Sequence, residues 1–498
     1  MTVFDKYTDE KTLSKIVDYD SVSHMWQSVV KEYATNVAVV DKKEYTFSEI
    51  EDEVARFRAL LSEKGAKKGD RVGIFAPNGI EFVKSYLAVT TLGMVAVLLP
   101  PHLDEMTVFG CSLKFSLSFL IYDETTSERI GILQSKNPKV TCIIDTETSE
   151  NKKDLVLMDR SSPSTVLFTG GTTGKSKGAL LSNGAIMRGT KNGCYGFKTV
   201  FEEKYFLVLP LTHVFGLVRN LLTSLYTGSS IYICKNNKEM FREIAVFKPT
   251  MMVMVPALCE MALNLSKQFG KNMLGSDLKY VIAGASQVSP YLITEYKKLG
   301  ITLLPGYGLT ESANLVSGNP EAEYKPSSVG FIYPGMDCKI VDGELWLKGV
   351  NMMDGYVGDE EENKIAYSED GYFKTGDLVR IDEENFMYIV GRKKEVIVLP
   401  SGENISPQEL ESKFYALDAV SDCMVYENNG LLAVQILPRA SVLKTNGIEN
   451  VEEYFKKELQ KINESLPSFA RINRLVIRQT DFIRSKSMKI VRDQNDEN

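Results

Sequence analysis

The chain has 498 residues, of which 44% are hydrophobic and 25% are charged, and its net charge is -7 at pH 7. This length predicts at least two domains, and the composition is that of a folded globular protein. A diffuse acidic balance argues against nucleic acid or an anionic membrane as the main partner. Seven scattered cysteines without a Cys-x-x-Cys pair predict mostly buried thiols rather than a disulfide framework or a zinc site.

The first residues do not have the basic and apolar pattern of a signal peptide. The most apolar stretch, 86–99, is too short to span a bilayer, and it predicts a buried helix followed by a buried strand. We therefore expect a cytoplasmic protein without a transmembrane segment.

Helix and strand patterns alternate over the first two thirds of the chain. Ser48 and Glu51 have the spacing of a helix capping box, and Gly65 is expected to end this helix. Apolar strand patterns follow, from RVGIFAP at Arg71 to ITLLPGYG at Ile301, with helical patterns between them. This alternation predicts an α/β protein whose parallel sheets are covered on both faces.

After about Gly330 the pattern changes to short strands joined by acidic turns, which predicts a small β-rich subdomain. The basic run GRKKEVI at 391–397 leads into a small α+β region. There, Ser406 and Glu409 predict a helix start, and Asn429-Gly430 predicts a hairpin turn.

The strongest local signal is STVLFTGGTTGKSKGALLS at 164–182, where an apolar strand at 165–168 precedes a loop rich in Gly, Thr and Lys. Glycines let backbone N–H groups approach an anion, hydroxyls donate to phosphate oxygens, and lysines neutralise charge. The pattern predicts a phosphate-binding loop; a flexible turn is the alternative. The P-loop of NTPases requires Gly five residues before Gly174, and Thr169 occupies that position, so this register is wrong for a P-loop.

The loop resembles TSGTTGxPKG, the hallmark of the adenylate-forming superfamily, which includes acyl-CoA synthetases, luciferases and peptide-synthetase adenylation domains. Gly170 and Ser176 replace the common Ser and Pro, whereas Lys177-Gly178 is kept. The resemblance implies that ATP or AMP is bound by Thr169, Gly170, Gly171, Thr172, Thr173, Gly174 and Lys177.

The resemblance also implies the domain organisation. We expect a large N-terminal domain over 1–392, with two α/β subdomains and a small β-barrel-like subdomain. A small mobile α+β domain would follow over 393–498, with Lys394 at the hinge.

Further motifs extend the resemblance over nearly the whole chain, in the same order as in the superfamily. The match of PLTHVFGL at 210–217 implies that His213 lies near the acyl carboxylate and the thiol tunnel, as a catalytic candidate; a histidine packed in the core is the alternative. AGAS at 283–286 resembles the adenine-lining loop and contributes Gly284, Ala285 and Ser286. LLPGYGLTES at 303–312 contributes Tyr307 for stacking on adenine, with Gly308, Thr310 for phosphate, and Glu311 for Mg²⁺.

The remaining motifs complete the expected site. Asp377 in GYFKTGDL and Arg392 in GRKKEVI match the ribose-binding positions. Gly402 matches the loop that serves the thiol step. Lys489 in IRSKSMKIVR matches the catalytic lysine, with Lys486 as a nearby competitor.

Together these motifs imply activation of a carboxylic acid by ATP and Mg²⁺ to acyl-AMP, followed by transfer to coenzyme A. No carboxylate occurs at 212–215 to hold an α-amine, which favours a fatty or other apolar acid over an amino acid. One alternative is a ligase that loads a carrier-protein pantetheine. Another is a degenerate member without turnover, suggested by the changes at Gly170, Ser176, Ile483 and Met488. We expect a monomer or a homodimer.

Overall fold

The computed structural model describes residues 2–169, 177–399, 403–484, 490–492 and 495. Within them, a seven-stranded sheet forms the first α/β unit. Its strands lie in the order Gly355–Tyr356, Gly178–Ser182, Pro163–Phe168, Val95–Leu98, Arg71–Phe75, Phe119–Tyr122 and Thr141–Ile144. The five from Pro163–Phe168 onward are parallel, and the first two are antiparallel additions at one edge.

A nine-stranded sheet forms the second α/β unit. Its central strands are parallel, and its three antiparallel pairings involve the strands at its two edges. The strand order is Phe331–Ile332, Asn314–Gly318, Thr302–Leu309, Tyr280–Ala283, Met251–Met254, Lys204–Leu207, Ser230–Ile233, Val37–Val40 and Glu44–Thr46.

Helices cover both sheets, as the alternating pattern predicts. Every residue of Val95–Leu98 and of Met251–Met254 is buried, so both faces of these central strands are covered. The helices of this part are Glu10–Lys15, Val22–Glu32, Phe47–Glu63, Ile80–Thr91, Glu105–Lys114, Gly131–Lys136, Asn183–Asn192, Thr223–Tyr226, Met240–Phe247, Pro256–Phe269, Pro290–Lys298 and Glu360–Ala366, with a π-helix at Phe215–Leu222.

The predicted helix cap at Ser48 is wrong by two residues. The helix Phe47–Glu63 is capped by Thr46, whose side chain accepts from the backbone N–H of Glu49 while the Glu49 carboxylate accepts from the N–H of Thr46. Thr46 has the extended backbone that a cap requires, and Ser48 already lies in the first turn. Gly65 follows the helix with a φ of 91°, as expected for a terminating glycine.

A four-stranded antiparallel sheet confirms the predicted β-rich subdomain. Its strands are Met336–Val341, Glu344–Gly349, Phe373–Ile381 and Met387–Arg392. It carries GYFKTGDL and the start of GRKKEVI, so two of the motifs lie on neighbouring strands.

The C-terminal region is α+β, as predicted. Its main sheet has three strands, Val420–Asn428, Leu431–Pro438 and Ile472–Ile477, and a two-stranded sheet joins Ile397–Val398 to Asn404–Ile405. Its helices are Pro407–Tyr415, Ala440–Thr445 and Val451–Glu464. Asn429 and Gly430 both have positive φ at the hairpin turn, as expected, but the Ser406 hydroxyl donates to the Val390 carbonyl instead of capping its helix.

All seven cysteines are free, and five of them are buried. Across the described ranges, no helix is both long enough and apolar enough to span a bilayer.

Candidate active site

Tyr307, Asp377 and Arg392 come together although they lie in three separate motifs. The Tyr307 hydroxyl donates to Oδ2 of Asp377 at 2.6 Å, and Nε of Arg392 pairs with Oδ1 of Asp377 at 2.7 Å. Asp377 and Arg392 are opposite each other on neighbouring antiparallel strands. Strand pairing and these two contacts therefore bring together residues from three separate sequence motifs.

The electrostatics of this cluster follow from burial. The Asp377 side chain is 2% exposed, so its charge depends on its two partners more than on water. Burial, together with the adjacent Asp377 carboxylate, raises the pKa of Tyr307 well above its usual value, so the hydroxyl keeps its proton and acts as a donor. The Asp377 charge raises the pKa of Arg392.

The turn that carries Asp377 is itself held by Glu344. The backbone N–H of Gly376 donates to Oε1 of Glu344 at 2.9 Å, and Lys393 pairs with its Oε2 at 3.1 Å. The Thr375 hydroxyl donates to the Leu345 carbonyl and accepts from the N–H of Asp377. These contacts fix the direction of the Asp377 side chain before any ligand binds.

Thr310 and Glu311 lie in a short 3₁₀ turn, Thr310–Ser312, directly after the strand that carries Tyr307. Oε1 of Glu311 accepts from the Tyr356 hydroxyl at 2.7 Å. Nζ of Lys177 lies 5.0 Å from the centroid of the same Tyr356 ring. One tyrosine therefore contacts both the expected magnesium ligand and the C-terminal end of the expected phosphate loop.

The two ends of this loop are held together by backbone pairing. The N–H of Thr169 donates to the Lys177 carbonyl at 2.9 Å, and Phe168 pairs with Gly178 in the antiparallel hairpin. Lys177 also forms an ion pair of 2.5 Å with Glu362, whose pKa is lowered mainly by this hydrogen bond. The charge of Lys394, in the exposed turn Lys393–Glu395, also lowers the pKa of Glu362.

Part of the predicted site lies outside the described residues. This applies to Gly170, Gly171, Thr172, Thr173, Gly174, Gly402 and Lys489, together with Lys175, Ser176, Ser485, Lys486 and Met488. The described neighbours Thr169 and Lys177 border the first of these segments.

The expected adenine loop follows the strand Tyr280–Ala283, beside the strand that carries Tyr307. A side chain at Gly284 would lie 3.1 Å from the Gly306 carbonyl and 3.3 Å from the Phe215 ring, so the two backbones approach closely here. Ala285 has a φ of 69°, which is strained for a residue with a side chain, and Ser286 is exposed. Gly308 is likewise required, because a Cβ there would lie 2.3 Å from the Asn314 carbonyl.

His213 lies just before the π-helix Phe215–Leu222 and is half-buried. Its Nδ1 accepts from the backbone N–H of Phe215 at 3.2 Å, which fixes the orientation of the ring. The chain at Gly216 passes close to the Pro210 carbonyl, and only glycine fits there, because a Cβ at this position would lie 2.2 Å from the carbonyl oxygen.

The chemistry of Glu311 fits a magnesium ion that is shared with a nucleotide. Mg²⁺ in nucleotide sites is held by one or two carboxylates together with substrate phosphates. In the described part of the chain, no group of three or more Asp, Glu, His or Cys residues could hold a metal without such a substrate. Glu311 uses Oε1 for Tyr356, and among the described side chains nothing binds its Oε2.

Sequence reasoning missed Tyr356, Glu362 and Glu344 as parts of this site. None of them lies in a motif that was recognised, and each reaches the site through a contact between distant parts of the chain. The GELWLKG segment around Glu344 gave only a strand pattern.

Comparison with known proteins gives the family. The family described as AMP-binding enzyme matches residues 26–357, and the AMP-binding enzyme C-terminal domain matches residues 394–498. A probable CoA ligase of Humulus lupulus, CCL5, is 28% identical over 441 residues, which cover 81% of this chain and 79% of that protein. The medium-chain fatty-acid–CoA ligase of Escherichia coli is 26% identical over 448 residues, covering 81% and 78%.

Solved structures support the same fold. The anthranilate CoA ligase AuaEII, in complex with anthranoyl-AMP, aligns with a TM-score of 0.83 at 19% identity and covers 97% of both chains. The o-succinylbenzoate CoA synthetase MenE of Bacillus subtilis, with its acyl-adenylate intermediate, aligns with a TM-score of 0.77 at 22% identity, covering 95% and 98%. The chain therefore belongs to the AMP-binding enzyme family and groups there with acid–thiol ligases.

Proposed function

We propose that this chain uses ATP to convert a carboxylic acid into an acyl-AMP with release of pyrophosphate, and then transfers the acyl group to coenzyme A. The acid would be a fatty acid or another acid with an apolar body. The observation that carries the proposal is the cluster of Tyr307, Asp377 and Arg392, with Glu311 in the turn directly after the strand of Tyr307. Together they would offer a ring, a carboxylate acceptor and a metal ligand.

Each group would have a distinct task in the first step. The Tyr307 ring would stack on adenine, and Asp377 with Arg392 would hold the ribose. Thr310 and the loop from Thr169 to Lys177 would hold the phosphates, with Gly284, Ala285, Ser286 and Gly308 lining the base. A magnesium ion on Glu311 would offset negative charge on the phosphates.

Lys489 would draw the substrate carboxylate and the α-phosphate together, because both are anionic and repel each other. His213 would lie beside the acyl carboxylate. For the second step, a domain over 393–498 would rotate about Lys394, so that Lys489 leaves and the Gly402 loop enters. One site would then serve two reactions in turn.

The proposal is tested by pyrophosphate release from ATP over a panel of carboxylic acids, with and without coenzyme A. Acid-dependent release, followed by thioester formation only when CoA is present, is the expected result. Tight ATP binding without release for any acid would contradict it and would favour a binding protein without turnover.

The Lys489→Ala variant separates the two steps. Because Lys489 would act on adenylate formation alone, the variant should lose pyrophosphate release while it still transfers the acyl group from supplied acyl-AMP to CoA. Equal loss of both steps would contradict the assigned role. Replacing CoA by a pantetheine-loaded carrier protein tests the competing acceptor, and faster thioester formation with the carrier would favour it.

A further inference from the structure

Asn78 joins two segments that are distant in the sequence. It lies in the turn between the strand Arg71–Phe75 and the helix Ile80–Thr91. Its Nδ2 donates to the Leu209 carbonyl at 2.9 Å, and its Oδ1 accepts from the backbone N–H of Leu211 at 2.8 Å. These two partners fix the orientation of the amide, because a flipped amide would place a donor against the N–H and an acceptor against the carbonyl.

The segment that Asn78 binds leads directly to His213. The backbone N–H of His213 donates to the Pro210 carbonyl at 3.1 Å, and Pro210 is the residue between the two that Asn78 binds. The same carbonyl packs closely against Gly216, where a Cβ would lie 2.2 Å from it. Nδ1 of His213 accepts from the N–H of Phe215 at 3.2 Å. A displacement of the backbone at Pro210 would therefore move the His213 ring.

A second contact holds the same turn against the nine-stranded sheet. The backbone N–H of Ile80 donates to Oδ2 of Asp41 at 3.0 Å, and Oδ1 of Asp41 pairs with Lys235 at 2.7 Å. Asp41 directly follows the strand Val37–Val40 of that sheet, and its side chain is 4% exposed. The turn with Asn78 therefore extends from the seven-stranded sheet but is fixed to the nine-stranded sheet, so Asn78 binds the His213 segment from a position that is itself held in place.

We propose that Asn78 is a positioning residue for the acid: its amide holds the backbone that places His213 beside the acyl carboxylate. This inference rests on the proposed function, in which His213 has that position. Asn78 would act through His213 and would contact neither the acid nor the nucleotide. A shift of about 1 Å in a group that contacts a substrate can lower the rate about 100-fold, so a residue that fixes such a group affects turnover without contacting the substrate.

At neutral pH, an amide is the side chain of this size that satisfies both backbone groups, because it donates and accepts at the same time. An aspartate at this position would accept from the Leu211 N–H, but its second oxygen would face the Leu209 carbonyl oxygen and repel it. An alanine would leave both backbone groups without this partner, and Leu209 and Leu211 are both buried. Either substitution would therefore displace the backbone on both sides of Pro210.

The test measures turnover of the acid and binding of ATP separately in Asn78→Ala and Asn78→Asp, using the full chain. At saturating ATP, kcat/KM for the preferred carboxylic acid, followed by pyrophosphate release, should fall about 10- to 100-fold. The Kd for ATP, measured by calorimetry without acid, should stay within about threefold of the wild type, because the contacts proposed for ATP do not involve Asn78. Asn463→Ala is the matched control: the Asn463 amide likewise binds one backbone N–H and one carbonyl, both of Ile472 in the C-terminal region, and its loss should leave kcat/KM for the acid unchanged.

A double-mutant cycle with His213→Ala shows whether Asn78 acts through His213. Added to His213→Ala, the Asn78→Ala change should lower kcat/KM for the acid less than about twofold, although it should lower the Tm equally in both backgrounds. Equal losses of kcat/KM in both backgrounds, a Kd for ATP that rises as much as kcat/KM falls, or the failure of both Asn78 variants to fold would overturn the inference and leave the proposed function intact. If the wild-type chain releases pyrophosphate with no acid, both fail together.

Discussion

The sharpest expectation for the nucleotide site concerns Asp377→Asn. The substitution keeps the shape of the side chain and removes its charge. The Asp377 side chain is 2% exposed, and its carboxylate oxygens contact the Tyr307 hydroxyl at 2.6 Å and Nε of Arg392 at 2.7 Å. A carboxylate has about four acceptor positions, so these two contacts leave room for two ribose hydroxyls. The amide has one acceptor oxygen, and its NH₂ group cannot accept from the ribose or from Arg392.

The magnitude follows from the type of hydrogen bond that is lost. A bond to a charged group contributes about 1.5–3 kcal/mol and a neutral one about 0.5–1.5 kcal/mol, so each ribose contact would weaken by about 1–1.5 kcal/mol. Two contacts give about 2–3 kcal/mol, which is about 30- to 150-fold in the Kd for ATP. Isothermal calorimetry with ATP and Mg²⁺, without acid, measures this directly.

Tyr307→Phe is the matched control for Asp377→Asn. It removes one donor to Asp377 but keeps the ring, so the Kd for ATP should rise less than about 10-fold. An Asp377→Asn protein that melts as the wild type does and binds ATP with wild-type affinity would remove Asp377 from the ribose site.

Three further outcomes test the hinge, the domain contact and one buried carboxyl. Lys394→Pro should slow thioester formation more than tenfold and leave pyrophosphate release nearly unchanged, because proline stiffens the proposed hinge. Chromatography of the acyl-CoA product measures the thioester step, and an unchanged rate of that step would count against the hinge. The Arg439 side chain is 1% exposed, and its Nε pairs at 2.8 Å with Oε1 of Glu260, so the contact joins the C-terminal α+β region to the helix Pro256–Phe269. Arg439→Ala should therefore lower the Tm measured by calorimetry by at least about 2 °C, because it leaves Glu260 without this partner. An unchanged Tm would contradict a stabilising role for the pair. The pKa of Asp145 is raised from 3.8 to about 7, mainly by burial and further by the charges of Asp123 and Glu81. Between these two pH values the folded chain therefore holds one more proton than the unfolded chain, and the free energy of unfolding falls as the pH rises from 3.8 to about 7. Asp145→Asn should therefore stabilise the chain on the order of 2 kcal/mol more at pH 8 than at pH 3.5 in urea unfolding, and equal gains at both pH values would refute the raised pKa.

The fold could be predicted largely because its central strands are buried on both faces. Segments such as Met251–Met254 are continuous apolar runs between helical patterns, and this combination predicts a parallel sheet. The antiparallel return Gly178–Ser182 and the π-helix Phe215–Leu222 could not be foreseen in the same way. The first depends on how a loop closes, and the second on the close approach of Gly216 to the Pro210 carbonyl.

The site, like the fold, could be predicted only where its residues stand in a recognisable sequence pattern. Asp377 and Arg392 stood in recognisable motifs, and strand pairing placed them opposite each other. Tyr356 and Glu362 gave no signal, because neither stands in a recognisable motif, and only packing brings them to Glu311 and Lys177. A pattern can show which residue types are present, but only packing shows which of them lie together.

The charges beside the expected phosphate loop pair with each other. Lys177, next to a loop expected to hold phosphate, is paired at 2.5 Å with Glu362 and lies against the Tyr356 ring. A triphosphate would have to take the place of Glu362 as the partner of Lys177, so the lysine exchanges one anion for another and is not left unpaired in either state. The Tyr356 hydroxyl also donates to Glu311. A movement of Lys177 toward phosphate would change the contact on the Tyr356 ring, and a cation bound to Glu311 would change the contact of the Tyr356 hydroxyl. The phosphate and metal halves of the proposed site are therefore expected to bind cooperatively, through a side chain that belongs to neither motif.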